Sequence, residues 1–221
     1  MSAQGSSNDR VSFARRAWRG ARWVLLVIII LYIGLVIYRI PAVEQQQKTQ
    51  QVVTQIQAQK LTMDDVDGKH LPPPPDPAQV DATVAGVDAN QNGIRDDVEL
   101  AIFKKYPNSA KIRAAELQYA MELQMELDKV FNTDTLVATV QEASRGHSCV
   151  SDSVQNPGTS PTEAEVNYIS TLMDARTKEV EDLVFNTELR KQRREENFGY
   201  ETSHGDMSGP DCDIDPTSLS D

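Results

Sequence analysis

DANQNGIRDDVE, residues 88–99, is the stretch around which the rest of the chain is organised. Asp88, Asn90 and Asn92 stand at alternate positions, Gly93 follows, and Asp96 and Glu99 complete a set of oxygen-bearing side chains. A chain wrapping an ion offers one side chain every second residue, and a hard cation such as calcium takes six to eight oxygens. Gly93 permits a sharp turn that a residue with a Cβ resists. The spacing assigns the Ile94 carbonyl to the ion, Asp96 to it directly or through water, and Glu99 to a bidentate closing position. Asp96, Asp97 and Glu99 also fall in a first helical turn, where carboxylates suit the helix dipole. An Asn/Gly turn followed by an acid-capped helix is the competing reading, because the same residue types are common in turns.

The pattern DxNxNGxxDxxE resembles the EF-hand loop. It departs from the paired form at position eight, where Arg95 replaces an apolar residue and Ile94 comes one place earlier. Pro72 to Pro75 and Pro77 forbid a regular entering helix. The loop is therefore more similar to thrombospondin type 3 and dockerin-like calcium loops. Leu71 to Tyr106, with LPPPPD and then TVAGVDANQNGIRDDVE, also resembles a group of bacterial membrane-anchored envelope proteins. That resemblance brings no activity with it.

The 221 residues carry a net charge of −11, unevenly placed. Residues 1–39 hold six Arg and one acid, whereas residues 40–221 hold 16 basic and 32 acidic groups. So acidic a body argues against a nucleic-acid partner, because phosphate binding needs a basic face. Trp23 to Tyr38, WVLLVIIILYIGLVIY, is an unbroken apolar run approaching the length of a membrane span. Five arginines between Arg10 and Arg22 precede it, which leaves the N-terminus in the cytoplasm and the body outside. A cleaved signal peptide is the alternative, but the run is long for one and no Ala-x-Ala site follows.

These features predict a mainly α protein in five parts. Residues 1–20 form a cytoplasmic N-terminus, 21–40 a single-pass transmembrane anchor, and 41–86 a solvated Gln-rich stalk with a stiff Pro-rich linker. Residues 87–198 form the calcium loop and a helical domain, and 199–221 an irregular acidic tail. Apolar spacing predicts helices over about 96–106, 109–131, from 133 to a stop at Gly146, and from a capping box at Ser160-Pro161-Thr162-Glu163 to Val184. Val166, Ile169, Met173, Val180 and Val184 are the apolar residues of that last helix. A short charged helix, 188–197, follows, with Arg190, Lys191, Arg193 and Arg194 on a solvated face. Val-Phe-Asn-Thr occurs at both Val130–Thr133 and Val184–Thr187, as one helix-ending joint used twice.

Cys149 and Cys212 are placed in loops on the oxidising side, where a disulfide would tie the tail to the third helix and stabilise by about 4 kcal/mol. A sharper alternative uses His147, His204, Asp206 and the two cysteines as a zinc site in an envelope hydrolase. Three readings follow. The first is a membrane-anchored, extracytoplasmic, non-enzymatic calcium-binding protein with an envelope protein partner. The second is the zinc hydrolase. The third makes the loop a metal-free knuckle in a structural subunit of an envelope assembly.

Overall fold

A computed structural model describes residues 6–154, 161–203, 205 and 209–220, with side chains of residue 18 and of 20 onward. The chain is mainly helical, and no strand occurs among the described residues. It divides into two units, Met1–Lys48 and Thr49–Asp221. The first contains most of helix α1, Ser6–Ala58, whose residues from Trp23 to Tyr38 are all exposed. By length and composition this helix is able to cross a membrane.

Among the described residues, the second unit holds the last turns of α1 and seven further α-helices. These are α2 (Met63–Val66), α3 (Pro77–Val80), α4 (Asp96–Lys105), α5 (Ala110–Lys129), α6 (Thr133–Asp152), α7 (Glu163–Val184) and α8 (Glu188–Asn197). Helix α5 is the axis of the unit and packs against α2, α4, α6, α7 and α8. Its apolar residues form two adjoining stripes, Ala115-Tyr119-Leu123-Leu127 and Leu117-Met121-Met125, and every residue from Arg113 to Leu127 is buried. The burial therefore takes in Glu116, Gln118, Glu122, Gln124 and Glu126 as well.

Four expectations need correction. Gly146 does not end α6, which continues through Cys149 to Asp152. A Cβ there would collide with the Glu122 carboxyl and approach the Tyr119 backbone within 2.9 Å, so the glycine serves a close helix crossing. The capping box lies two residues later than Ser160, with Thr162 accepting from Glu165 N and Glu165 reaching back. On α7 the expected apolar stripe faces inward only at its C-terminal end, where Val180 and Val184 are buried, whereas Val166 is exposed. On α8, Arg190 is fully buried and donates to the Val80, Thr83 and Val84 carbonyls.

The stalk and tail are not peripheral. Ile56 packs with Met125 and Ala138, while Leu61 and Val66 join the main core. Pro72 is buried, and Pro77 opens α3 under an Asp76 cap. Non-helical backbone needs donors from elsewhere, and buried arginines supply them. Arg113 donates to the Val66, Tyr106 and Pro107 carbonyls, as Arg190 does to the segment after α3. Cys212 and Asp213 are buried on α5 and α6, with Ile214 and Leu219 packed beside them. The repeated joint behaves alike but one residue out of phase. Asn132 caps α6, whereas Thr187 caps α8.

Candidate metal site

The loop runs from Val87 into α4, and two left-handed residues curl it, Gln91 (φ 60°) and Gly93 (φ 87°). The positive φ favours glycine at position 93, and a Cβ there would also displace the Gln59 amide from its place against the loop. The side chains assigned to the ion each make a local bond. Asp88 Oδ2 accepts from Gly93 N at 2.9 Å, and Asn92 Oδ1 accepts from Ile94 N at 2.9 Å. Asp96 Oδ1 accepts from Ala89 N at 2.9 Å, while Asp96 N donates to Val87 O at 2.8 Å. Asn90 Nδ2 donates to Glu99 Oε2 at 3.1 Å. Ile94 places its side chain in the core and anchors the loop there.

What those bonds leave over is more informative. Asp88 Oδ1 and Asp96 Oδ2 are buried with no hydrogen-bond partner, as is Asn92 Nδ2. Buried carboxylate oxygens without donors are costly, and an oxygen-seeking cation is one partner that would satisfy them. Burial pushes the Glu99 carboxyl up to about 7, against the Asn90 amide, with the Asp65 and Asp96 charges adding to the rise. Asp96 is likewise raised, first by burial and then by the neighbouring Asp88 and Asp97 charges. In donor type the loop suits calcium. Among the described residues, however, no three Asp, Glu, His or Cys side chains converge as a ready-made metal cluster.

Arg95 and Asp97 stand outside the ligand set. The Arg95 guanidinium is buried, paired with Asp97 at 2.8 Å, and donates to the Leu183 and Val184 carbonyls at the end of α7. The loop is thereby locked to the far side of the core. Sequence reading missed Gln59, whose Nε2 donates to Asn92 O at 3.3 Å, and Gln124, whose buried Oε1 has no partner. Both line a cavity of about 310 Å³ beside the loop, with Asp88, Gln91, Gly93 and Asp128. The only local hint of Gln59 was the glycine that makes room for it.

Cys149 and Cys212 form a disulfide, which points to an oxidising compartment. Cys149 lies within α6 and not in a loop. Both sulfurs are thus withdrawn from the zinc constellation. His147 sits edge-on to the Tyr119 ring at 6.0 Å, and His204 and Asp206 lie outside the described residues. No family model matches the chain, and no match was found among curated proteins or solved structures.

Proposed function

We propose that this is a membrane-anchored, extracytoplasmic, non-enzymatic calcium-binding protein in which the ion stabilises the helical domain or a surface for an envelope protein partner. The buried, partnerless Asp88 Oδ1 and Asp96 Oδ2 carry this reading. The apolar helix and the disulfide support the membrane and oxidising setting, and the arginines before the apolar run favour a cytoplasmic N-terminus. Asp88, Asn90, Asn92, Asp96 and Glu99, with the Ile94 carbonyl, would hold the ion. When bound, calcium supplies the positive charge that these carboxylates lack.

Three carboxylates and an unpaired loop suit a dissociation constant on the order of 10⁻⁴–10⁻³ M, the range of extracellular modules. At 100 times that constant the ion would stabilise the fold by about 2.7 kcal/mol. The metal-free knuckle is the second reading, favoured by the loop's own hydrogen bonds and by the absence of a converged cluster among the described residues.

Thermal melts in EDTA and in millimolar calcium separate the two. The calcium reading expects a rise in melting temperature that Glu99→Ala abolishes and that Asp97→Ala retains. The pH dependence has a defined sign. A carboxyl raised to about 7 costs the metal-free fold stability as pH climbs from 4.5 toward that value. Calcium needs the ionised form, so its stabilising effect grows over the same interval. Equal melting temperatures at every pH, with no heat of binding, leave the knuckle.

A further inference from the structure

A second buried cluster lies where α5, α6, the α1–α2 connection and the 210–213 segment meet. Asp213 accepts from Leu61 N at 2.9 Å and from Arg145 Nη2 at 2.8 Å, while its own N–H donates to Gln118 Oε1 at 2.8 Å. Lys60 Nζ reaches Glu142 Oε2 at 2.8 Å, and the same oxygen receives Arg145 Nη1. Gln118 Nε2 donates to Asp211 O at 2.8 Å and to Glu122 Oε1 at 3.0 Å, and Arg145 Nε donates to Pro210 O at 3.0 Å. The node thus pins the 210–213 segment and the residues just after α1 to the two central helices. The Cys149–Cys212 bond closes beside it.

The cluster has two cations and three carboxyl groups, and the cations are spent. Glu142 and Asp213 take both of them, whereas among the described residues the donor to Glu122 is the neutral Gln118 amide. Glu122 is 1% exposed, and an ionised carboxylate there would lack a countercharge. Two oxygens in the cluster have no partner, Glu122 Oε2 and Glu142 Oε1. They belong to helices in close approach, because Gly146, one turn beyond Glu142, leaves the Glu122 carboxyl room against α6. We propose that Glu122 is protonated, and that this proton, by sparing the node a third buried negative charge, closes a latch holding the 210–213 segment and the Lys60–Leu61 junction in place.

Among the described residues, no further charge offsets that proton. Glu142 and Arg145 face Glu122 from α6 and Asp213 from the late segment, while Lys60, from the α1–α2 connection, reaches Glu142. One turn along α5, Glu126 is directed to Arg194, and His147 lies against Tyr119. Burial first, then the Asp213 and Glu142 charges, raise the Glu122 carboxyl well above its usual range. An acid raised on folding loses stability as pH rises toward its folded value. The latch therefore loosens in alkali and tightens in acid.

Glu122→Gln places an amide N–H where the acid proton would stand and mimics the closed form at every pH. The test follows reduction of Cys149–Cys212 by a phosphine in the full-length protein across a pH series, with pH-difference infrared spectra of carboxyl groups alongside. The wild-type reduction rate, divided by that of Glu122→Gln, should climb as pH rises. A protonated-carboxyl band should be present at neutral pH in the wild type and weaker in the variant, the Glu99 carboxyl contributing to both. A flat rate ratio, or a band of equal strength in the two proteins, overturns the proposal. Should Glu122→Gln fail to fold, Glu99→Gln decides: a protonated-carboxyl band must remain there and titrate away in step with faster reduction, and its absence refutes the protonated Glu122.

Discussion

Helices α1 and α5 invert one another. Between Trp23 and Tyr38, α1 turns Val, Leu and Ile outward on every side, while α5 from Arg113 to Leu127 buries Glu, Gln and Arg among its apolar residues. In water neither arrangement is stable alone. An apolar helix exposed all round needs a hydrocarbon solvent, and a helix buried all round needs a counterpart for each charge. Glu116 has Arg176 at 2.8 Å, and Glu126 has Arg194 at 3.6 Å. Polarity alone therefore misleads about position. What decides burial is whether the fold supplies a partner.

The largest effect should come from giving α1 charges that it cannot pair. Ile29→Arg with Ile33→Arg adds about 2.5–3.5 kcal/mol per arginine to membrane insertion, and carbonate extraction should move the protein from the membrane fraction to the wash. If the double variant stays integral, the anchor reading of α1 falls.

In α5 the comparable experiment removes a partner. Glu116→Ala strands the buried Arg176, whose Nη1 then keeps only Ser153 Oγ, and should cost about 3–5 kcal/mol in denaturant melts. Glu116→Leu combined with Arg176→Met should recover most of that loss. A double variant as unstable as the single would mean that the pair does more than neutralise itself.

Sequence pattern carried the elements whose message is local. The apolar run, the starts of α4, α5 and α6, the last helix and the cysteine pair were all legible, because periodicity, caps and composition act over a few residues. What escaped depends on residues remote in the chain. The Glu and Gln positions of α5 sit between apolar stripes, and nothing local names their partners, which are Arg176 on α7, Arg194 on α8 and Asp211 and Asp213 near residue 212. One signal was present. Glu116, Glu122 and Glu126 have no Lys or Arg four residues on, the pairing that exposed helices commonly use. In the loop, the ligand types were plain from spacing, but the partnerless oxygens and the Gln59 contact arise only on packing.

The smallest effect uses one substitution in both kinds of helix. Gly34→Ala meets nothing within 4 Å and should leave insertion of α1 unchanged. Gly146→Ala meets Glu122 and the Tyr119 backbone, and should destabilise the domain by about 1–3 kcal/mol in urea melts. If the Gly146→Ala variant is as stable as wild type, the α5–α6 crossing can open at little cost.

The bond from Leu61 N to Asp213 spans 152 residues and sets an order of events in time. In a chain made N-terminus first, Leu61 has no partner at this position until residue 213 has been made and has folded back to it. Contacts of such separation form slowly, since a long loop must close before they contribute. The domain is thus unable to complete itself piecemeal as it emerges. Until then Arg145 stays half-paired beside a free Cys149, and an interior that the finished molecule hides is open to any thiol reagent.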